Sequence, residues 1–333
     1  MRISQAPEYI GGLCNLGNVM RAHKLSIIIV SWNVKDLLRR CLNSVIESLR
    51  SGEGRQLSWQ LIVVDNASTD GSEAMLREEF PQVHLIANEE NVGFTRGNNQ
   101  GIAFSDGRYV VLLNPDTEIV GHALEEMVAY MEAHHQVGAL GPQLLDPDGQ
   151  VQSSRRRFPS LSTAYMESTF LQQWFPESDI LRRYYVLDSS DDETQAVDWV
   201  VGACLLMRRE ALEEVGPLDE RFFMYSEELD WCYRVKKLGW RVVYLPTAQV
   251  IHHLGKSSEQ VLPVRHIQFQ RSKVLFFKKH HGYWKGEVLR LFLLATYLWQ
   301  MILETLKWLV GHKRPLRRQR VVAYWRVLCS GLR

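Results

Sequence analysis

The sequence predicts an α/β chain built on a doubly wound, mostly parallel sheet, with a helical extension at its C-terminal end. Three observations predict it. The runs "LSIIIVSW" (25–32) and "QLIVV" (60–64) are continuously apolar rather than alternating, the pattern of strands covered on both faces. Such runs alternate with helical patterns up to about residue 145. Three of the strands also run into clusters of polar residues, and open α/β sheets bind ligands at the carboxyl ends of their strands.

The elements follow in order. Strands are expected at 25–32, 60–64, 83–87 and 109–113. Between them, residues 34–49 place Leu37, Leu38, Cys41, Leu42, Val45 and Ile46 at three-to-four spacing, which is one face of a helix. Residues 72–80, 96–105 and 122–135 are further helices. Residues 146–196 break the rhythm: "DPDGQ" is a turn, "SSRRRFPS" and "LDSSDDETQ" are polar, and the region is expected to be long excursions that form part of an acceptor wall. Regular structure resumes at "VDWVVGACLLMRREALEEVG", then "SEELDWCYRVKKLGW" as a helix and "RVVYLP" as a strand.

Composition excludes several classes. The 333 residues are 46% hydrophobic and carry a formal net charge of +1, so a polycation that binds nucleic acid is not indicated. The five cysteines form no CxxC pair, which suits a reduced protein without a disulfide frame or zinc knuckle. Residues 1–24 lack the apolar core of a signal peptide and read as a loose leader.

The polar strand ends carry the chemistry. The first strand ends in Ser31-Trp32-Asn33, the second in "DNASTDGS" from Asp65, and the fourth in Asn114-Pro115-Asp116. No GxGxxG follows the first strand and no P-loop occurs anywhere, so a diphosphate needs another counter-charge. A divalent cation, Mg²⁺ or Mn²⁺, on Asp116 would supply it, since such ions bind through one or two carboxylates plus substrate phosphates.

The segments "SIIIVSWN", "LIVVDNASTDGS", "NVGFTRGNNQGI" and "VVLLNPDTEI" resemble the successive motifs of family 2 inverting glycosyltransferases of the GT-A fold, in particular rhamnosyltransferase-type enzymes of cell-surface polysaccharide synthesis. The resemblance runs in order over roughly residues 25–260. It implies a GT-A domain over 25–265, followed by a helical, membrane-associated extension over 266–333. It also implies that Ser31 and Asn33 meet the nucleotide, that Asp65 accepts the base N3–H, and that Asn91, Arg96 and Asn99 border the donor. Asn114-Pro115-Asp116 falls on the family's DxD motif, with Asn in place of the first acid, which leaves Asp116 as the metal ligand. His252 falls where the family places a histidine beside metal and diphosphate. The family's catalytic base comes from an acidic pair at a helix start. Here the pair is Glu227-Glu228 with Asp230 beyond it. Glu228 takes the base position, as a Glu where the family has Asp, and Glu227 and Asp230 join the acceptor or sugar contacts. Trp199, Gly202 and Ala203 are implied as sugar or acceptor contacts.

The resemblance therefore implies a metal-dependent transferase moving a sugar, rhamnose from dTDP-rhamnose, to a hydroxyl of a lipid-linked or cell-surface glycan. A UDP-sugar enzyme and a non-catalytic nucleotide-sugar or glycan-binding protein of the same fold are the alternatives. At the C-terminal end, residues 291–303 are uninterruptedly apolar but for Thr296 and Gln300 and are short for a span. Thr296, Gln300, Glu304, Lys307 and Gly311 form a polar stripe, and Lys313, Arg314, Arg317, Arg318 and Arg320 form a basic cluster. This predicts a helix lying on an anionic membrane surface, on the cytoplasmic face of the inner or plasma membrane, with a soluble helix packed on the catalytic domain as the alternative.

Overall fold

The computed structural model describes residues 22–50, 57–167, 169–253, 262–311 and 313–333. Most of the expected leader, residues 1–21, and residues 254–261 at the end of the resemblance lie outside the described residues.

The N-terminal half forms as the patterns require. Strand β1 (Leu25–Ser31) is followed by α1 (Lys35–Arg50), β2 (Trp59–Asp65), α2 (Ser72–Glu79), β3 (His84–Ala87), α3 (Phe94–Phe104) and β4 (Tyr109–Leu113). The order β3-β2-β1-β4 is parallel throughout. Every residue of β1 is buried, and its side chains divide between two cores. Ile27 and Ile29 pack with Leu61, Val63, Val111 and helix α1 on one face. Ile28 and Val30 pack with Ile62, Val64, Val110 and Leu112 on the other. That division explains the unbroken apolar runs: alternate residues serve opposite faces, and both faces are covered. Helix α3 lies close on β1 because Gly101 has no side chain; a Cβ there would stand 2.4 Å from Ile28 Cγ2.

Beyond β4 come β5 (Thr117–Ile119), α4 (Ala123–Ala133) and β6 (Val137–Leu145). The excursion is not irregular. It contains β7 (Val151–Gln152), β8 (Arg155–Arg156), the short helices α5 (Leu161–Met166), α6 (Phe170–Trp174) and α7 (Asp179–Tyr184), and β9 (Gln195–Val197). Each short helix starts at a Ser or Thr whose side chain accepts a backbone N–H: Ser160, Thr169 and Ser178. The chain continues with β10 (Trp199–Val200), β11 (Cys204–Arg208), α8 (Arg209–Val215), α9 (Glu227–Lys237), β12 (Arg241–His252), α10 (Leu262–His281), α11 (Tyr283–Leu309) and α12 (Arg314–Ser330). The sheet grows in the order β4-β11-β6-β12-β5, with β11 antiparallel to both neighbours. Strand β12 pairs parallel with β6 and antiparallel with β5, and its register shifts between Leu245 and Gln249, where Pro246 has no N–H for a ladder.

The boundary expected at 265/266 falls inside α10. Val274, Phe276 and Phe277 of α10 enter the second core, as do Leu289, Leu293 and Tyr297 of α11 and Val327 of α12. The polar stripe of α11 divides: Thr296 and Glu304 turn inward, Gln300 is half-buried, and Lys307 and Gly311 face water. Thr296 and Glu304 are buried, and Glu304 accepts from Arg317 Nη1 at 2.6 and 2.7 Å across to α12. The outward face is apolar: Trp284, Val288, Leu291, Leu298, Ile302, Leu306 and Leu309 recur at three-to-four spacing and are exposed.

Candidate active site

The carboxyl ends of β1, β2 and β4 converge as expected. The Ser31 hydroxyl is buried and makes no hydrogen bond among the described residues. Asn33, in the left-handed region with φ 52°, accepts from the Thr69 N–H at 2.7 Å, while its own N–H donates to Ser68 Oγ at 2.9 Å. Asp65 accepts from the Ser68 N–H at 2.8 Å through Oδ2 and keeps a buried Oδ1 with no donor among the described residues. A buried acceptor without a donor is costly, and a ligand N–H would satisfy it.

The third strand end carries a second orphaned oxygen. Asp116 is 2% exposed, and its Oδ1 accepts no hydrogen bond among the described residues. His252 Nε2 lies 3.6 Å from it, because β12 and β5 pair His252 with Thr117. On the other side of the ring, Nδ1 lies 3.1 Å from Gln152 Oε1, and the Gln152 amide nitrogen is spent on the His252 and Leu145 carbonyls. Nδ1 is engaged there, and Nε2 is the ring nitrogen that faces Asp116. A carboxylate oxygen and an imidazole nitrogen 3.6 Å apart could share a cation, with the imidazole oriented through its other nitrogen. The residues present thus suit a divalent ion, with the remaining ligands left to a diphosphate. The neighbouring His253 does point elsewhere: its Nε2 pairs with Glu118 at 2.6 Å.

The acidic trio separates into two environments. Glu227 and Glu228 open α9, after Tyr225 and Ser226 at φ 68° and 64°. Two successive non-glycine residues in that region are strained, and such strain concentrates at functional sites. The loop is pinned to α3: the Phe94 N–H donates to the Phe223 carbonyl at 3.0 Å, and Gly93 leaves room for the Phe223 ring, which a Cβ would approach to 2.7 Å. Burial raises the pKa of both glutamates. Glu227 is raised well above the carboxylate range, by burial first and then by the charge of Glu228. Backbone amides at Gly202 and in the first turn of α9 favour the charged form of Glu228, as does a hydrogen bond from Glu227. Burial thus holds both carboxyls above their ordinary pKa, with the amides around Glu228 working against the rise there. Asp230 is different. It is fully buried, bonded to Arg234 Nε at 2.9 Å and to Lys279 and His280 at 2.6 Å, so its carboxylate ties α9 to α10.

Glu228 borders a partly open cleft. Its walls come from Pro159, Ala164 and Glu167, from Tyr184, Trp199, Tyr225 and Ser226, and from Phe269, Lys273, Phe276 and Phe277 of α10. Aromatic rings make up nearly half of the lining residues. One ion pair crosses it, Lys273 Nζ to Glu167 Oε2 at 2.7 Å. Gly202 sits against the Glu228 side chain, where a Cβ would lie 3.4 Å from Cγ. Ala203 accepts the Asn114 N–H at 2.9 Å through its carbonyl and so links the two halves of the site.

The other sequence-predicted residues have structural partners. Trp199 is buried and donates through Nε1 to the Arg157 carbonyl at 3.0 Å, with its ring at the cleft wall. Asn99 clamps the following loop, bonding both the N–H and the carbonyl of Leu218. Asn91 accepts from the Gly93 N–H at 3.0 Å, and Arg96 is exposed on α3. Sequence reasoning did not single out Gln152, Glu167, Lys273 or the α10 phenylalanines. The "SSRRRFPS" segment was legible as a polar interruption, but nothing in the pattern of α10 pointed to the cleft.

The comparisons agree with this architecture. The Glycosyl transferase family 2 description matches residues 26–216. The chain is 30% identical over 276 residues, covering 79% of it and 87% of the relative, to an N-acetylglucosaminyl-diphospho-decaprenol L-rhamnosyltransferase of Mycobacterium tuberculosis. It is 25% identical to the rhamnosyltransferase WbbL of Escherichia coli, over 68% of this chain and 82% of that protein. Among solved structures, a mannosyltransferase of Pyrobaculum calidifontis in complex with GDP-Man and Mn²⁺ superposes with a TM-score of 0.54 at 16% identity, covering 94% of this chain and 87% of that one. The GT-A fold, the strand-end site and these relatives converge: the chain belongs to glycosyl transferase family 2 and is a rhamnosyltransferase-like glycosyltransferase.

Proposed function

We propose that the protein transfers rhamnose from dTDP-rhamnose, with inversion, to a hydroxyl of a diphospho-lipid-linked sugar. The observation that carries the reading is the position of Glu228: at the start of α9, against Gly202, and on the wall of a cleft lined in part by aromatic rings. The acceptor sugar stacks in that cleft. Glu228 takes the proton of its hydroxyl as the oxygen attacks the anomeric carbon from the face opposite the diphosphate. The bond from the anomeric carbon to the diphosphate oxygen breaks, and its electron pair leaves with the nucleoside diphosphate. Asp65 Oδ1 accepts the base N–H, and the Ser31 hydroxyl lies beside it. Asp116 and His252 would hold a divalent cation, which would offset the charge of the leaving diphosphate. Support for the cation comes from the facing Asp116 oxygen and His252 nitrogen and from the Mn²⁺ bound with GDP-Man in the mannosyltransferase structure. Support for the sugar and the acceptor comes from the relative named as an N-acetylglucosaminyl-diphospho-decaprenol L-rhamnosyltransferase, and the dTDP carrier follows the resemblance of the motifs to rhamnosyltransferase-type enzymes.

The same reading puts the enzyme on the cytoplasmic membrane surface. Helix α11 is 27 residues long, and by length and composition alone it is apolar enough to cross a membrane. Its inner face is engaged with α10 and α12, so we read it as lying in the interface, with Trp284 and Trp299 outward and Lys313, Arg314 and Arg318 nearby. Full-length protein should co-float with anionic vesicles at low salt and detach at high salt. Trp284→Glu with Leu291→Glu should abolish flotation; flotation unchanged in that variant refutes the surface.

The donor is tested by incubating a panel of dTDP-, UDP- and GDP-sugars with Mn²⁺ or Mg²⁺ and a prenyl-diphospho-sugar acceptor. Mass spectrometry detects the released nucleoside diphosphate and the product. Turnover with a UDP-hexose and none with dTDP-rhamnose would overturn the donor assignment.

A further inference from the structure

The three consecutive arginines Arg155, Arg156 and Arg157 have different surroundings. Arg155 is buried and ion-paired with Asp191, and it also donates to the Ser190 carbonyl at 2.6 Å. Arg157 lies 3.6 Å from Asp188. Arg156 has no carboxylate within ion-pair distance among the described residues. Its Nη1 donates to Ser153 Oγ at 2.9 Å and to the Arg155 carbonyl at 2.7 Å. Its Nε and Nη2 donate to nothing described. The guanidinium is held instead by two rings, 4.6 Å from the Tyr185 centroid and 5.9 Å from that of Tyr184.

This placement puts a cation beside Tyr184, a residue of the cleft wall, with no counter-ion among the described residues. Tyr184, Glu167 and Glu228 line the cleft, and all three act electrostatically on Arg156. Neither carboxylate is within reach to pair with it. Glu167 is already taken by Lys273 at 2.7 Å, and Glu228 is held by the Gly202 amide and by Glu227. Burial lowers the Arg156 pKa, as expected of a desolvated cation, yet a guanidinium stays protonated. A desolvated guanidinium with two unused N–H directions suits an oxyanion, which it binds through parallel bonds.

We propose that Arg156 binds a phosphate oxyanion carried by the acceptor, so that the acceptor's diphosphate, and not only its sugar, is recognised in the cleft. The inference rests on the diphospho-lipid reading of the acceptor. The donor's diphosphate is the other source of the same chemistry, but it belongs at Asp116 and His252, at a different strand end. The two aromatic rings hold the guanidinium plane while the anion approaches its free edge.

The test uses full-length protein in EDTA, which removes cation-dependent donor binding. Calorimetry with farnesyl diphosphate, farnesol and dTDP is compared for the wild type, Arg156→Gln and Arg156→Lys. Wild type should bind farnesyl diphosphate more tightly than farnesol. Arg156→Gln should weaken farnesyl diphosphate by about tenfold or more, the worth of a charge-assisted bond, and leave farnesol and dTDP unchanged. Arg156→Lys should fall between, since it keeps the charge and loses the fork. It also serves as the working variant if Arg156→Gln loses its thermal transition. Equal farnesyl diphosphate affinity in both variants and the wild type overturns the proposal. So does no binding to the wild type, a parallel loss for farnesol, or a loss confined to dTDP. Failure here leaves the transferase reading intact if the wild type still releases nucleoside diphosphate. Failure of that reading shows separately, as absent turnover with diphosphate binding retained.

Discussion

Replacing Glu228 with glutamine tests the catalytic reading most directly. The amide is nearly isosteric, and the space beside Gly202 accommodates the side chain as it stands, with its Cβ position 3.4 Å from Glu228 Cγ. Backbone donors at Gly202 and in α9 still meet an oxygen. Proton acceptance at the cleft is lost, and Glu227, which does not line the cleft, is not placed to replace it. General-base catalysis contributes about 10²–10⁴-fold, which is about 3–5 kcal/mol of barrier at roughly 1.4 kcal/mol per tenfold. Turnover of Glu228→Gln should fall within that range, with donor affinity held within about twofold, since no donor contact changes. The pH profile gives a second readout. Burial raises the Glu228 pKa, so its basic form is lost as pH falls through a value above the ordinary carboxylate of about 4.3. The wild type should show that acidic limb in kcat/KM, and the glutamine variant should not. Asp230→Asn is the control. It strips the counter-charge from Arg234, Lys279 and His280, and breaking a buried pair costs about 3–5 kcal/mol. Its loss should appear in thermal stability more than in turnover per folded molecule. Near-normal turnover in Glu228→Gln, with collapse in Asp230→Asn at an unchanged thermal midpoint, would refute the assignment.

Donor binding in the wild type should need Mn²⁺ or Mg²⁺, and Asp116→Ala should remove that dependence. His252→Ala should weaken it less because it removes a neutral ligand, and equal donor affinity with EDTA and Mn²⁺ in calorimetry would dispose of the metal. Glu227 has a raised folded-state pKa, so its contribution to stability is present below the ordinary carboxylate pKa and lost as pH rises through the raised one. Glu227→Gln should therefore melt above the wild type at pH 8, with the gap closing towards pH 4; a gap that does not vary with pH contradicts the raised pKa. Gly93→Ala puts a Cβ 2.7 Å from the Phe223 ring at φ +91°, so it should displace the loop ahead of Glu228 and cut turnover with about 1–3 kcal/mol of destabilisation; unaltered kinetics would show the loop free of the site. Truncation after residue 287 removes Leu289, Leu293, Tyr297, Val327 and Leu332 from the core, at about 1.5–3 kcal/mol each. That approaches or exceeds a typical net stability of about 5–15 kcal/mol, so the truncated chain should lose its cooperative thermal transition, and a native-like melt would show the extension to be separable.

The sequence by itself determined the strand-helix order to residue 145 and the polar strand ends. Those features are local: apolar runs of strand length, three-to-four periodicity and turn residues are written into neighbouring positions. It also placed Ser31, Asp65, Asp116 and Glu227-Glu228, each of which stands at a strand or helix end. It did not show that α5–α7 fill the excursion, because five- or six-residue helices lack a readable period and announce themselves only through caps such as Ser160 and Ser178. Only the tertiary structure decided which acid faces the cleft. Glu228 and Asp230 are two residues apart in sequence, so a helix turns them about 200° from one another. One direction meets Gly202 and the cleft; the other meets Lys279 and His280. Pairing Asp116 with His252 needed β5 and β12 to become neighbours over more than 130 intervening residues, through sheet hydrogen bonds that no local pattern encodes. The fate of α11 was likewise a matter of packing. Its polar stripe was visible in sequence, but Arg317 of α12 drew Glu304 inward, because a carboxylate taken from water needs a partner, and the apolar face was left outside.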